Sequence, residues 1–165
     1  MRLLPIAAAL LLVTAGLAHA RGAVVSAGGA WAAIDRGAVC EALSRSLQIA
    51  AKGKVQAEAG FAFTPDHNRW GEFHARLSRA ARPGSSVILT IGDQPFLLVA
   101  RSEWAWSRGA AQEQAIVAAV RAAGAMRVEA RDLAGRRFVD PYALGGAPTA
   151  IDSAAARCAG KTQRR

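Results

Sequence analysis

Between residues 55 and 63 the chain reads VQAEAGFAF, placing Val55, Ala57, Ala59, Phe61 and Phe63 at every second position with Gln56 and Glu58 between. That alternation predicts a strand with one buried face, ended by Thr64-Pro65-Asp66. EFHARLSR at 72–79 repeats the pattern, with Phe73, Ala75 and Leu77 turned one way and Glu72, His74 and Arg76 turned to solvent. Pro83-Gly84 marks a turn. SVILTI (86–91) and FLLVA (96–100) are unbroken apolar runs on either side of Gly92-Asp93-Gln94-Pro95. Runs of this kind predict a hairpin buried on both faces.

The period changes after residue 111. In QEQAIVAAVRAA (112–123), Ile116, Val117, Val120 and Ala123 recur at helical spacing, and Gly124 stops the element. Met126, Val128 and Ala130 then alternate with Arg127, Glu129 and Arg131. Leu133-Ala134-Gly135 turns the chain, and Arg137-Phe138-Val139 returns as a hairpin partner. Pro148, Thr149 and Asp152 read as a helix start, with Thr149 at the cap, leading into an alanine-rich helix that carries Cys158 and ends at Gly160. Trp31 to Leu43 reads as a further strand pair holding Cys40. The expected class is α+β, dominated by antiparallel strands, with a short helix and a C-terminal helix.

One segment is apolar without being part of this pattern. MRLLPIAAALLLVTAGLAHA (1–20) has Arg2, an apolar stretch from Leu3 to Leu17 and the small-x-small triplet Ala18-His19-Ala20. These are the parts of a secretory signal peptide, too short for a comfortable membrane span and followed by no stop-transfer segment. The expected organisation is a signal peptide at 1–20, one exported domain at 21–160 and a basic tail at 161–165, with no transmembrane span after cleavage. The 145 residues left of 165 suit one domain with a real core. Export also decides how Cys40 and Cys158 read, since they are the only cysteines. An even pair in an oxidising compartment is a structural disulfide, closing a long loop for about 4 to 5 kcal/mol on the chain-entropy account. It would staple the last helix to the sheet.

The net charge of +9, or +8 without Arg2, adds attraction to anionic surfaces such as phospholipid head groups or acidic glycans. Nucleic acid is not expected as a partner of an exported protein. Dispersed arginines serving solubility alone account for the charge equally well.

The order of landmarks is distinctive. An early Trp and Cys precede Ile91-Gly92-Asp93-Gln94-Pro95-Phe96 and Trp104-Ala105-Trp106. After these come a short helix, Met126-Arg127-Val128, and Asp140-Pro141-Tyr142-Ala143-Leu144-Gly145-Gly146 before a helix with Cys158. This resembles the invasion-associated locus B family of exported bacterial proteins, as a divergent member. The most specific match is Asp140, Tyr142, Leu144 and Gly146, followed by the Cys-bearing helix. Pro141 and Ala143 stand where small hydroxyl residues are more usual, and Ala147-Pro148 where an aromatic is. The resemblance implies a small, mainly β, sandwich- or barrel-like domain in the periplasm, or peripheral to the outer membrane or secreted. Some family members are linked to host-cell invasion. It supplies no catalytic residues, and no cofactor or metal is expected.

Two kinds of chemistry compete for the polar and aromatic residues. In Asp66-His67-Asn68-Arg69-Trp70, with Glu72 and His74 beyond, His67 and His74 could share a metal, or Asp66 could orient His67 as a general base. That is the alternative reading, a periplasmic hydrolase or metal-dependent enzyme. A spacing of seven fits neither a strand face nor a helix face, and no GxSxG elbow, SxxK or phosphate-binding fingerprint exists, including at Gly28-Gly29 and Gly145-Gly146. The favoured reading is a non-enzymatic binding module. Trp104 and Trp106 lie two apart, so an extended backbone projects both indoles from one face, flanked by Arg101 and Arg108. Such a face suits a sugar, a head group or an apolar peptide. Equally, the two indoles could cap the core under the 112–123 helix. Trp31 and Trp70 read as core or rim. The expected partner is an envelope protein, an anionic glycan or a lipid head group. In a third reading, strand 72–79 is a sheet edge that accepts a partner's strand.

Overall fold

A computed structural model describes residues 22–162; the expected signal peptide and the last three residues of the basic tail lie outside the described residues. Ten strands and two helices follow in the order β1 (Ala23–Gly28), β2 (Trp31–Asp35), β3 (Cys40–Arg45), β4 (Glu58–Phe63), β5 (Trp70–Arg76), β6 (Val87–Ile91), β7 (Gln94–Arg101), β8 (Trp104–Trp106), α1 (Ala110–Ala122), β9 (Ala125–Arg131), β10 (Arg137–Ala143) and α2 (Ala147–Thr162). The strands form one antiparallel sheet in the order β1-β2-β3-β4-β5-β8-β7-β6-β9-β10. The sheet is not closed, yet it curls into a sandwich-like fold. The Ala30 and Leu47 N–H groups donate to Gly145 and Pro141, and the Trp31 indole donates to the Ala143 carbonyl at 2.8 Å.

The inner face carries the core. Phe61 meets Trp31 at a tilt and Phe73 edge-on, and Leu89, Ile91, Val128 and Tyr142 come from the far side of the curl. Helix α1 inserts Ile116, Ala119 and Val120 into this interior. Helix α2 lays a stripe of small residues, Ala147, Ala150, Ala154 and Cys158, against β2 and β3, which lets its backbone approach closely. There Cys158 forms the expected disulfide with Cys40, with Cα atoms 5.8 Å apart.

Beside it lies a second fastening. Asp35 accepts hydrogen bonds from Arg157 at 2.6 Å and from Lys161. Burial pushes the Asp35 carboxyl up, but Lys161, the Gly37 N–H and Arg157 outweigh it and hold the group at about 2. Lys161 is thus fastened to the body of the domain, and α2 runs past Gly160 to Thr162.

The start of α2 also differs from expectation. Ala150 donates to the Gly146 carbonyl, so Gly146 occupies the capping position and Thr149 lies inside the first turn. Gly146 has φ of 91°, and a Cβ there would sit 2.0 Å from the Gly28 carbonyl oxygen. The two Gly-Gly pairs pack backbone to backbone, which is what binds the β10–α2 corner to the β1–β2 turn. Asp140, Tyr142 and Leu144, the other residues of that run, are all buried. Asp140 accepts the Ser78 N–H at 3.0 Å, and burial raises its carboxyl above the ordinary range.

Candidate functional site

Strand β8 is three residues long and sits between β5 and β7, opposing His74 to Trp106, Arg76 to Trp104, Val99 to Trp106 and Arg101 to Trp104. Opposed residues in a sheet share a face. Ala105, between the two tryptophans, is fully buried, and Leu98 on β7 is buried as well. Trp104 and Trp106 therefore point outward with Leu97, Val99, Arg101 and Arg76. The indoles are near-parallel, 15° apart, with centroids separated by 6.4 Å. Trp104 is 39% exposed, Leu97 41% and Val99 51%. The core-capping alternative is thereby overturned: α1 lies on the inner face, whereas the indoles lie on the outer one.

Three of the four residues expected to bind, Trp104, Trp106 and Arg101, share this face. Arg101 stands opposite Trp104. Arg108 is tied to the same margin through the first turn of α1, where its N–H donates to the Gln112 side chain, which donates in turn to the Leu97 carbonyl at 3.1 Å. Three further residues join them. Arg76 is 3.6 Å from Glu103 and has a buried Nε without a partner. Leu97 and Val99 belong to the run expected to be buried on both faces, and the structure corrects that reading. Strand β7 is buried on its inner face only, since among the described residues no element covers its outer one.

The histidine reading fares differently. His67, in the left-handed region at φ 60°, stacks on Trp70 with centroids 3.9 Å apart. Asp66 does not orient it: the carboxylate accepts from Thr64 and from the Asn68 backbone and side chain, closing a turn. His74 is buried under the outer face rather than exposed to solvent, with Nε2 3.7 Å from Glu41. Burial lowers its basicity, so it is held neutral. Gly60 makes room for it, since a Cβ there would sit 2.9 Å from His74 Nε2 and 2.4 Å from Leu43 Cδ2. The two histidines have separate partners, and among the described residues no group of three His, Cys, Asp or Glu is placed to hold a metal ion. Strand β5, the expected edge, is an interior strand flanked by β4 and β8; the edges are β1 and β10.

No helix among the described residues is long and apolar enough to cross a membrane. No family model, curated protein or solved structure matches the chain.

Proposed function

We propose that this chain is an exported cell-envelope protein of the invasion-associated locus B type. In this reading it is a non-enzymatic binding module that docks on an anionic lipid head-group surface through the outer face of β7 and β8. The observation that carries the reading is the exposed set Leu97, Val99 and Trp104, with the half-buried Trp106 beside them on one sheet face, edged by Arg76 and Arg101.

A monomeric domain rarely leaves a contiguous apolar strip of this kind uncovered without a use for it. The aliphatic pair chooses among the expected partners. A glycan stacks on indoles but has no use for Leu97 and Val99, whereas acyl chains at a bilayer surface take both. Indoles sit at the level of the head groups, and guanidiniums meet the phosphates there. The disulfide and the apolar leader support an oxidising compartment, for which the periplasm is the proposed site.

The test is co-sedimentation with vesicles of phosphatidylglycerol and phosphatidylethanolamine, against vesicles of phosphatidylcholine alone. The wild type is expected to bind the anionic vesicles, to release as salt rises, and to lose about tenfold or more in affinity on Trp104→Ala/Trp106→Ala. Equal binding by the double variant, with its fold intact by circular dichroism, overturns the assignment. Release by an acidic oligosaccharide instead of by salt transfers the face to a glycan.

A further inference from the structure

The cations of this chain look scattered in sequence, but the fold collects them at one end. Around the turn between β9 and β10 stand Lys54, Arg79, Arg82, Arg131, Arg136 and Arg137, against Glu129, Asp132 and the buried Asp140. Six cations against three carboxylates leave three positive charges there, of the five net charges carried by residues 22–162 with their seventeen Lys and Arg and twelve Asp and Glu.

This charge lines a cleft. An opening of about 800 Å³ lies between the loop that joins β3 to β4 and strand β10. Lys54, Arg79, Arg136 and Arg137 edge it, and Ile49 and the half-buried Val55 give it an apolar side. Ile49 is 87% exposed at the rim.

The guanidiniums are held in place by the fold. Asp132 accepts the Ala134 and Arg136 backbone N–H groups, which anchor its carboxylate in the turn. Its Oδ2 then accepts both Arg79 and Arg136 at 3.2 Å. One carboxylate thus orients two guanidiniums and neutralises only one. Each guanidinium has five N–H donors in a rigid fork, so most remain free for an incoming oxyanion. Arg137 is engaged by Glu129, whereas Lys54 has no carboxylate partner among the described residues.

We infer that this cleft binds a small amphiphile with a phosphate head, the phosphate meeting Arg79, Arg136 and Lys54 and the apolar portion lying on Ile49 and Val55. A singly charged carboxylate would be met by one guanidinium fork. Two forks and an ammonium match a dianionic phosphoryl group, which presents three oxygens to separate donors. Asp132 acts as a positioning residue for both arginines. The site is separate from the tryptophan face and does not depend on that assignment.

The test is calorimetric titration of the purified protein with octyl phosphate below its micelle concentration, with inorganic phosphate and with octyl glucoside. Saturable binding of octyl phosphate is expected. Inorganic phosphate should bind about tenfold more weakly or worse, because it leaves the apolar side uncovered. The glucoside should not bind. Lys54→Gln, which breaks no ion pair of the fold, and Arg79→Gln should each weaken octyl phosphate by about tenfold. Arg121→Gln, which removes the same charge between the helices, should leave it unchanged. Absence of saturable binding overturns the inference. So does equal binding of the phosphate and the glucoside, or an affinity indifferent to Lys54→Gln and Arg79→Gln.

Discussion

Strands β7 and β8 carry apolar side chains on both faces, and the two faces meet opposite surroundings. Inward, Leu98 and Ala105 are closed into the core beneath α1. Outward, Leu97, Val99 and Trp104 remain open to solvent with Trp106 beside them. The hydrophobic effect acts on area removed from water, so the inner set stabilises the fold and the outer set contributes little until something covers it. Similar residue types thus serve packing on one side and recognition on the other.

The largest effect belongs to the inner side. Cys40→Ser/Cys158→Ser, or reduction, should cost about 4 kcal/mol in denaturant unfolding, because the disulfide closes most of the domain into one loop. A loss under about 1 kcal/mol would mean that the α2 contacts alone hold this corner. Neighbouring leucines divide the two faces more finely. Leu98→Ala should cost about 3 kcal/mol, whereas Leu97→Ala, one residue earlier and facing out, should stay within about 0.5 kcal/mol. Equal losses at the two positions would show that the outer face is covered in solution and would remove the basis of the proposed docking surface.

Acid tests the fastening beside the disulfide. The Asp35 carboxyl is depressed in the folded protein to about 2, against about 3.9 for an unfolded aspartate. Its contribution is therefore fully present above about pH 4 and is lost as pH falls through about 2. Asp35→Asn should flatten that part of the stability profile and leave the binding face untouched. An unchanged profile would show that Arg157 and Lys161 do not hold the carboxylate in solution. A small effect on stability, within about 1 kcal/mol, is expected from Trp104→Ala/Trp106→Ala alongside the loss of vesicle binding. A cost of several kcal/mol would place the indoles in the core after all.

Much of this molecule is legible in its sequence where periodicity and turn chemistry agree. The alternations at 58–63, 72–76 and 125–131, the hairpin at Gly92-Asp93 and the helix before Gly124 all occur within a few residues of their expected bounds. The errors share a cause. FLLVA was expected to be buried twice because an unbroken apolar run cannot say whether a covering element exists. His74 was expected in solvent because strict alternation cannot reveal that Gly60 leaves a hollow for it one strand away. Thr149 has the chemistry of a cap, but the close approach of Gly28-Gly29 to Gly145-Gly146 starts α2 earlier.

The sequence by itself determined the antiparallel character of the domain, the pairing of its two cysteines and the shared face of Trp104 and Trp106, because these follow from local period and from residue chemistry. Tertiary structure alone decided which face of that strand pair stays open. It also decided that Lys54, Arg79 and Arg136, far apart along the chain, meet at one cleft. Both depend on how far the sheet curls and where the helices lie, and no local spacing encodes that.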